Sequence, residues 1–574
     1  MKIKILRVIG LFAYLLTGCQ SEQQPVNTFC NPVDLSYRFS LNKPSSREAA
    51  DPTLVWFRDR YYLFASKSGG YFYSKNLINW TLVETKDLPT ENYAPTAVAI
   101  EDTLYFMTAP TNGENPIYKT TNPLSGKWSV AVEKLDIPVW DPALFLDDNK
   151  HLYLYWGCSD KTPLYGVELD YNNHFSFIGK PASLKYASTE QLGWEVRGDH
   201  NTMINEKPWI EGAWMNKHNG KYYFQYAAPG AQYRSYCDGV CVSDNPLGPF
   251  ILQKHNPFAY RPEGFVTGAG HGSTFTDRYG NFWHIGSVII SQKQTFERRL
   301  GLFPVFFDKQ GTMYSVTKYQ DYPLIMPQKK ISDFTEMFPG WMLLSYKKNV
   351  TVSSSVNDFP SSNMTDENIK TYWAAGSGDK GEFAILDLGK TYDVYAIQIN
   401  FAEHNASIYG RTKDVYHRYT VEYSKNNKKW KLLLDNSKKE NDNPHDYTQL
   451  TQKVSCRYLK ITNIEVPGGQ LAVSGFRVFG RGNGKIPGKI DKFEVKYNPN
   501  DKRSVKLSWS KSDNSTGYNI CYGVDKKMLY QNYQVYQDTT LTINSLNSTL
   551  DYYFSIESFN ENGITTNERI VKAK

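Results

Sequence analysis

The sequence predicts an all-β chain: a five-bladed β-propeller over residues 28–330, followed by two smaller β-modules over 346–481 and 487–574. Three observations predict it. One hairpin pattern recurs five times between residues 50 and 290. Aromatic residues make up 15% of the chain, with 42 Tyr, and such residues suit strands and sugar-facing surfaces alike. Beyond residue 330 the composition turns richer in Lys and Ser, and short alternating strands continue to the end. With 574 residues the chain is too long for one core, so two to four domains are expected.

The first segment, MKIKILRVIGLFAYLLTGCQS, has a basic start and a short apolar run. That run is too short to cross a bilayer and has the form of a signal peptide over residues 1–18. The ending Leu16-Thr17-Gly18-Cys19 resembles the bacterial lipobox. The resemblance implies that Cys19 carries lipid and anchors the mature protein to the outer membrane, at its periplasmic face or at the cell surface. The alternative is an ordinary secretory signal with a chance cysteine. A formal charge of +7 is modest for this length, and the lysines are scattered without an arginine stripe, which argues against a nucleic-acid partner. The other six cysteines form neither a disulfide framework nor a zinc spacing. Cys237 and Cys241 are close enough to pair, or to remain reduced core thiols.

The five hairpins begin at Ala50 (ADPTLVWFRDRYYLFAS), Ala94 (APTAVAIEDTLYFMTA), Trp140 (WDPALFLDDNKHLYLYWG), Ile210 (IEGAWMNKHNGKYYFQYA) and Gly270 (GHGSTFTDRYGNFWHIGS). Each has a special residue before Pro or Gly, an apolar strand, a polar turn and an aromatic strand. Such units at roughly blade-length intervals read as blades, with the remaining strands between them. Aligned on the residue before Pro or Gly, the copies carry Asp51, Ala94, Asp141, Glu211 and His271. Symmetry would gather these at one mouth of a central channel.

These motifs, Ala-Asp-Pro, Trp-Asp-Pro, Glu-Gly-Ala-Trp and Gly-His-Gly-Ser in this order, resemble glycoside hydrolase family 43. The resemblance implies an inverting glycosidase acting on α-L-arabinofuranosides or β-D-xylosides of plant polysaccharides, with β-1,3-galactans as a further substrate class. It implies Asp51 as general base, Glu211 as general acid and Asp141 as the carboxylate that orients the acid and keeps it protonated. Apolar neighbours in sequence, Trp209, Ile210 and Trp214, together with Asp141, are expected to push the Glu211 pKa toward neutrality. No cofactor is required. His271 matches a histidine that holds calcium or another ion in the channel. The alternative is a neutral, hydrogen-bonded histidine, since calcium prefers oxygen ligands. Arg298 or Arg299 is expected to reach the substrate or the acids, with the choice set by strand register. Trp56, Trp140, Trp194 and Trp214 are candidates either for stacking on sugar or for packing. A non-catalytic sugar-binding propeller is the rival reading.

Residues 346–481 resemble the factor 5/8 C-terminal (discoidin) jelly roll through Thr365-Asp366, Thr371-Tyr372-Trp373, Leu386-Asp387-Leu388-Gly389 and Phe479-Gly480. Gly475 stands where that family commonly has a calcium-binding Glu. Residues 487–574 resemble a fibronectin type III sandwich, with Trp509, Leu546 and Tyr552 as its core Trp, Leu and tyrosine corner.

Overall fold

The computed structural model describes residues 27–574 apart from 42, 111 and 409–413. The signal segment and Cys19 therefore lie outside the described residues. The regular structure described is strand throughout, apart from four short 3-10 turns.

Each of the five hairpins grows into a four-stranded antiparallel sheet. The first sheet is Ala50–Phe57, Arg60–Ser66, Tyr71–Ser74 and Thr81–Val83. The second opens with Thr96–Ile100, the third with Ala143–Leu146, the fourth with Glu211–His218 and the fifth with Thr267–Thr276. The hairpin turns are those the sequence demands. Asn219 and Gly220 both have positive φ (49° and 77°), the conformation of a two-residue type I′ loop. The five opening strands neighbour one another in a closed cycle, from the first to the second and on through the fifth back to the first. Side-chain hydroxyls stitch the cycle. Ser273 Oγ accepts the Leu54 N–H (3.2 Å), Thr96 Oγ1 accepts the Leu144 N–H (3.0 Å), and Thr53 donates to the Pro95 carbonyl (2.8 Å). The chain ends of this unit meet where Thr28–Phe29 pairs with Leu324–Ile325.

The next module is an eight-stranded antiparallel assembly dominated by Phe383–His404, His445–Glu465 and Gln470–Arg481. Trp373, Leu386 and Phe476 are fully buried in its core. The last module pairs a three-stranded sheet with a five-stranded one. Trp509, Leu546 and Tyr552 are buried between them, and the Tyr552 hydroxyl accepts the Asn547 N–H at 3.0 Å.

The modules are joined by buried polar contacts and close packing. Arg261, paired with Asp321 at 2.6 Å within the first unit, donates to Gln534 Oε1 of the last module at 3.1 Å, and Arg477, paired with Glu367 at 2.9 Å, donates to the Asp321 carbonyl. Gly475 sits at this joint: a Cβ there would lie 2.9 Å from the Phe265 ring and 3.1 Å from Asn400. A glutamate at that position would collide with the first unit, which explains the departure from the discoidin pattern. Trp194 is fully buried, with its ring over Gly239, where a Cβ would meet it at 2.2 Å. It is a packing residue, not a sugar platform. All six described cysteines are free thiols, Cys237 and Cys241 among them.

Candidate active site

The site begins with a backbone device. Asp51, Ala94, Asp141 and His271 all take left-handed φ values (48°, 49°, 52° and 45°). An L-residue there costs roughly 1–2 kcal/mol, and such strain gathers at functional sites. In the fourth sheet the left-handed residue is Gly212 (φ 59°), not Glu211. Strand pairing agrees: Ala50 faces Ser66 and Glu211 faces Ala227, so Glu211 is the counterpart of Ala50 and Gly212 of Asp51. The sequence alignment is thus one residue out for Glu211. The bulge next to each of these residues re-aims the side chain, and Glu211 still reaches the same cluster. Gly212 is required for a second reason: a Cβ would lie 2.7 Å from Cγ of His271. Gly212→Ala is expected to destabilise the chain by at least about 1–2 kcal/mol and to displace His271, lowering the first thermal unfolding midpoint of the full chain.

Asp51 is 4% exposed and ringed by donors. Arg298 Nη1 donates to Oδ1 at 2.7 Å and Nη2 to Oδ2 at 3.3 Å, and the Ser66 hydroxyl donates to Oδ2 at 2.7 Å. His271 Nδ1 lies 3.3 Å from Oδ1. Burial pulls the Asp51 pKa up, but Arg298, His271 and Ser66 together hold it below the usual carboxylate range. Arg298 is itself gripped by Glu48 at 2.9 Å. Register settles the arginine question: Arg298 faces the site, and Arg299 faces away toward the second module.

Asp141 and Glu211 form the other half. One oxygen of each, with the Cys158 sulfur, lie within 4.8 Å of one another. Tyr236 donates to Glu211 Oε1 at 2.5 Å, and the Cys158 thiol donates to Oε2 at 3.2 Å. Burial, then Asp141 and Glu211, drive the thiol pKa far up, which fits Cys158 as a neutral donor to Glu211. Burial, helped by Glu211 and Asp51 against the pull of His271, pushes the Asp141 carboxyl up to about 7. Asp141, whose pKa is raised, thus has an oxygen within 4.8 Å of a Glu211 oxygen. The immediate partners of Glu211 are these polar groups. The indole N–H of Trp214 instead bonds the Thr274 carbonyl at 3.0 Å, and its ring packs on a core cluster. Trp214 is thus a packing residue, contrary to its assignment to substrate. Trp140 is 57% exposed beside Asp141 and remains free for a ligand.

The Asp141 pKa is raised, so the folded state holds its proton to higher pH than the unfolded chain. Stability contributed by that proton is full below the unfolded value, near 4, and is lost as pH rises toward about 7. Asp141→Asn is therefore expected to flatten this decline and raise the urea midpoint at pH 8 relative to wild type, by an amount on the order of a few kcal/mol. His271 offsets part of the gain because it loses a carboxylate neighbour.

His271 links the two halves, 3.3 Å from Asp51 and 3.8 Å from Asp141. Burial lowers its pKa, but Asp51, Asp141, Glu211 and Asp238 outweigh burial and the net direction is up. The His271 Nδ1 faces Asp51 and Asp141, and a nitrogen is a softer donor than the oxygens that calcium prefers, so the ring fits a calcium ligand poorly. Asp238, not foreseen from the sequence, is fully buried and accepts the N–H groups of His271 (2.7 Å) and Gly272 (3.1 Å).

Comparison with known proteins gives the following. Residues 43–313 match the family model described as Glycosyl hydrolases family 43, and residues 349–472 match the F5/8 type C domain. A xylosidase/arabinosidase of Bacteroides ovatus is 25% identical over 193 residues, covering 27% of this chain and 54% of that protein. An arabinoxylan arabinofuranohydrolase of Paenibacillus polymyxa is 30% identical over 160 residues, covering 26% of this chain and 22% of that protein. The chain thus spans about half or less of the length of these curated relatives. A crystal structure of a thermostable family-43 glycoside hydrolase, 20% identical, covers 53% of this chain and all of its own, with a TM-score of 0.41.

Proposed function

With residues 43–313 carrying a family 43 glycosyl hydrolase domain and residues 349–472 an F5/8 type C domain, we propose that the chain is a glycosidase that removes α-L-arabinofuranosyl or β-D-xylosyl units from plant polysaccharides with inversion. One observation carries this reading: Asp51, Asp141 and Glu211, from three different sheets, converge in one small cluster around His271, in settings that favour opposite protonation states for Asp51 and Asp141. Asp51 is held ionised by Arg298, and Asp141 holds a proton near neutrality beside Glu211. That asymmetry is what acid–base hydrolysis of a glycoside needs. Glu211 protonates the leaving oxygen, Asp51 draws a proton from the attacking water, and Asp141 supplies and orients the acid's proton. Arg298 keeps the base ionised, and Trp140 offers a ring face at the rim.

The closed cycle of opening strands supports a five-bladed propeller as the scaffold, with the five left-handed positions at one mouth of its channel. The sheet pairing and the Tyr552 hydrogen bond support a fibronectin type III-like last module. We assign Cys19 to lipid attachment at the outer membrane, on the sequence alone. A panel of aryl α-L-arabinofuranosides, β-D-xylosides and β-D-galactosides, with arabinan, xylan and arabinogalactan, tests the activity. Release of arabinose or xylose by wild type is the expected result, and proton NMR of the first-formed sugar should show the anomer opposite to the substrate. Inert wild type on every substrate would leave a non-catalytic sugar-binding role.

A further inference from the structure

Two pairs of adjacent residues split their side chains between the site and the second module. Glu48 and Arg298 turn toward Asp51. Their chain neighbours Arg47 and Arg299 turn the other way. Arg47 donates from Nε to Glu403 at 2.6 Å and from Nη1 to Asp442 at 2.7 Å. Arg299 donates from Nε to His445 Nε2 at 3.0 Å, and from Nη1 to the carbonyl of Arg47. Arg47, Arg299, Glu403 and His445 are each no more than 3% exposed. Burial, then Arg299 and Arg47, hold His445 well below its ordinary pKa, so it is neutral. The Nε2 lone pair faces Arg299, and Nδ1 pairs with Asn400 Oδ1 at 2.9 Å.

The backbone makes this a lever. The carbonyl just before Glu48 is held by the guanidinium just after Arg298, and the Ala49 N–H bonds the Arg298 carbonyl at 3.3 Å. A shift of either arginine's partners in the second module therefore moves the Glu48–Arg298 pair. The loop leading into Arg298 is also tied across: Gln292 donates to the Ile369 carbonyl at 2.7 Å. A module serving only to bind glycan would not need to grip both chain segments that build the base.

We propose that the second module is a structural part of the active site: Glu403, Asp442 and His445 are positioning residues that, through Arg47 and Arg299, hold the Glu48–Arg298 pair against Asp51. The kinetic arm of the test rests on the glycosidase reading; the structural arm does not. In the full chain, Glu403→Gln, which removes the charge facing Arg47, and His445→Phe, which removes the acceptor of Arg299, are each expected to lower kcat by about 10- to 100-fold, with KM little changed. In a double-mutant cycle the loss should largely vanish in an Arg298→Lys background, because both changes act on one group. Crystal structures of the two variants should show the Arg298–Asp51 contact, 2.7 Å in the wild type, opened beyond hydrogen-bond reach. Unchanged kcat in both folded variants, additive losses in the cycle, or an intact contact would each overturn the proposal. Should Glu403→Gln not fold, the charge-neutral His445→Phe decides alone. An inert wild type would sink the glycosidase reading, and the crystal structures would then decide the positioning role by themselves.

Discussion

Glu211→Gln is expected to lower kcat on an unactivated disaccharide by about 10²–10⁴-fold and to spare substrates with good leaving groups. An aryl leaving group such as dinitrophenolate departs without a proton, so loss of the acid matters little to it. The substitution is a clean one. The amide oxygen still accepts from Tyr236, which donates to Oε1 at 2.5 Å, and the amide nitrogen meets only the adaptable Cys158 thiol. The measurement is the ratio of wild-type to variant kcat on a disaccharide and on the dinitrophenyl glycoside. Equal losses on both would remove Glu211 from the acid role. Asp141→Asn should show a weaker form of the same pattern, because Asp141 acts through Glu211.

The hairpin repeat was legible because strand alternation and turn chemistry are local properties, written in contiguous residues. Asp51, Asp141 and His271 were legible with it, since a left-handed residue recurs at one fixed place in all five copies, as Ala94 and Gly212 in the other two. Glu211 was found by motif, yet its register was misread, because Gly212 takes the left-handed conformation that a non-glycine residue takes elsewhere. Cys158, Tyr236, Glu48 and Asp238 gave no signal. Each comes from a strand end or loop whose neighbours in sequence are ordinary, and only the closing of the strand cycle brings them to the carboxylates. The expected apolar setting of Glu211 failed for the same reason: Trp209 and Trp214 are near in sequence, but Tyr236 and Cys158 are near in space. The choice between Arg298 and Arg299 turned on a one-residue register, which pairing with Val288 and Ile289 fixes and composition does not. The two side chains leave opposite sides of one strand, Arg298 toward Asp51 and Arg299 toward His445.

Asp51→Asn is expected to lower turnover equally on every substrate and also to lower stability, and the two effects have separate causes. All four groups around the carboxylate are donors: Arg298 through two nitrogens, Ser66 and His271. An asparagine oriented either way turns its NH₂ toward one of them. That leaves a buried donor unpaired, at a cost of about 1–3 kcal/mol, and Arg298 keeps only Glu48 as a counter-ion. The fall in kcat should be about 10²–10⁴-fold, and equal for disaccharide and dinitrophenyl glycoside, because water must be deprotonated whatever leaves. This contrast with Glu211→Gln separates base from acid without assuming either. The attacking water must displace one of the weaker contacts on Asp51, His271 or Arg298 Nη2, both at 3.3 Å, so the base is exposed to water only when the cluster opens slightly for substrate. An anion such as azide needs no deprotonation and should restore turnover to Asp51→Asn, releasing a glycosyl azide of inverted configuration. Rescue of Glu211→Gln in place of Asp51→Asn would reverse the assignment of the two carboxylates, and a glycosyl azide of retained configuration would overturn inversion.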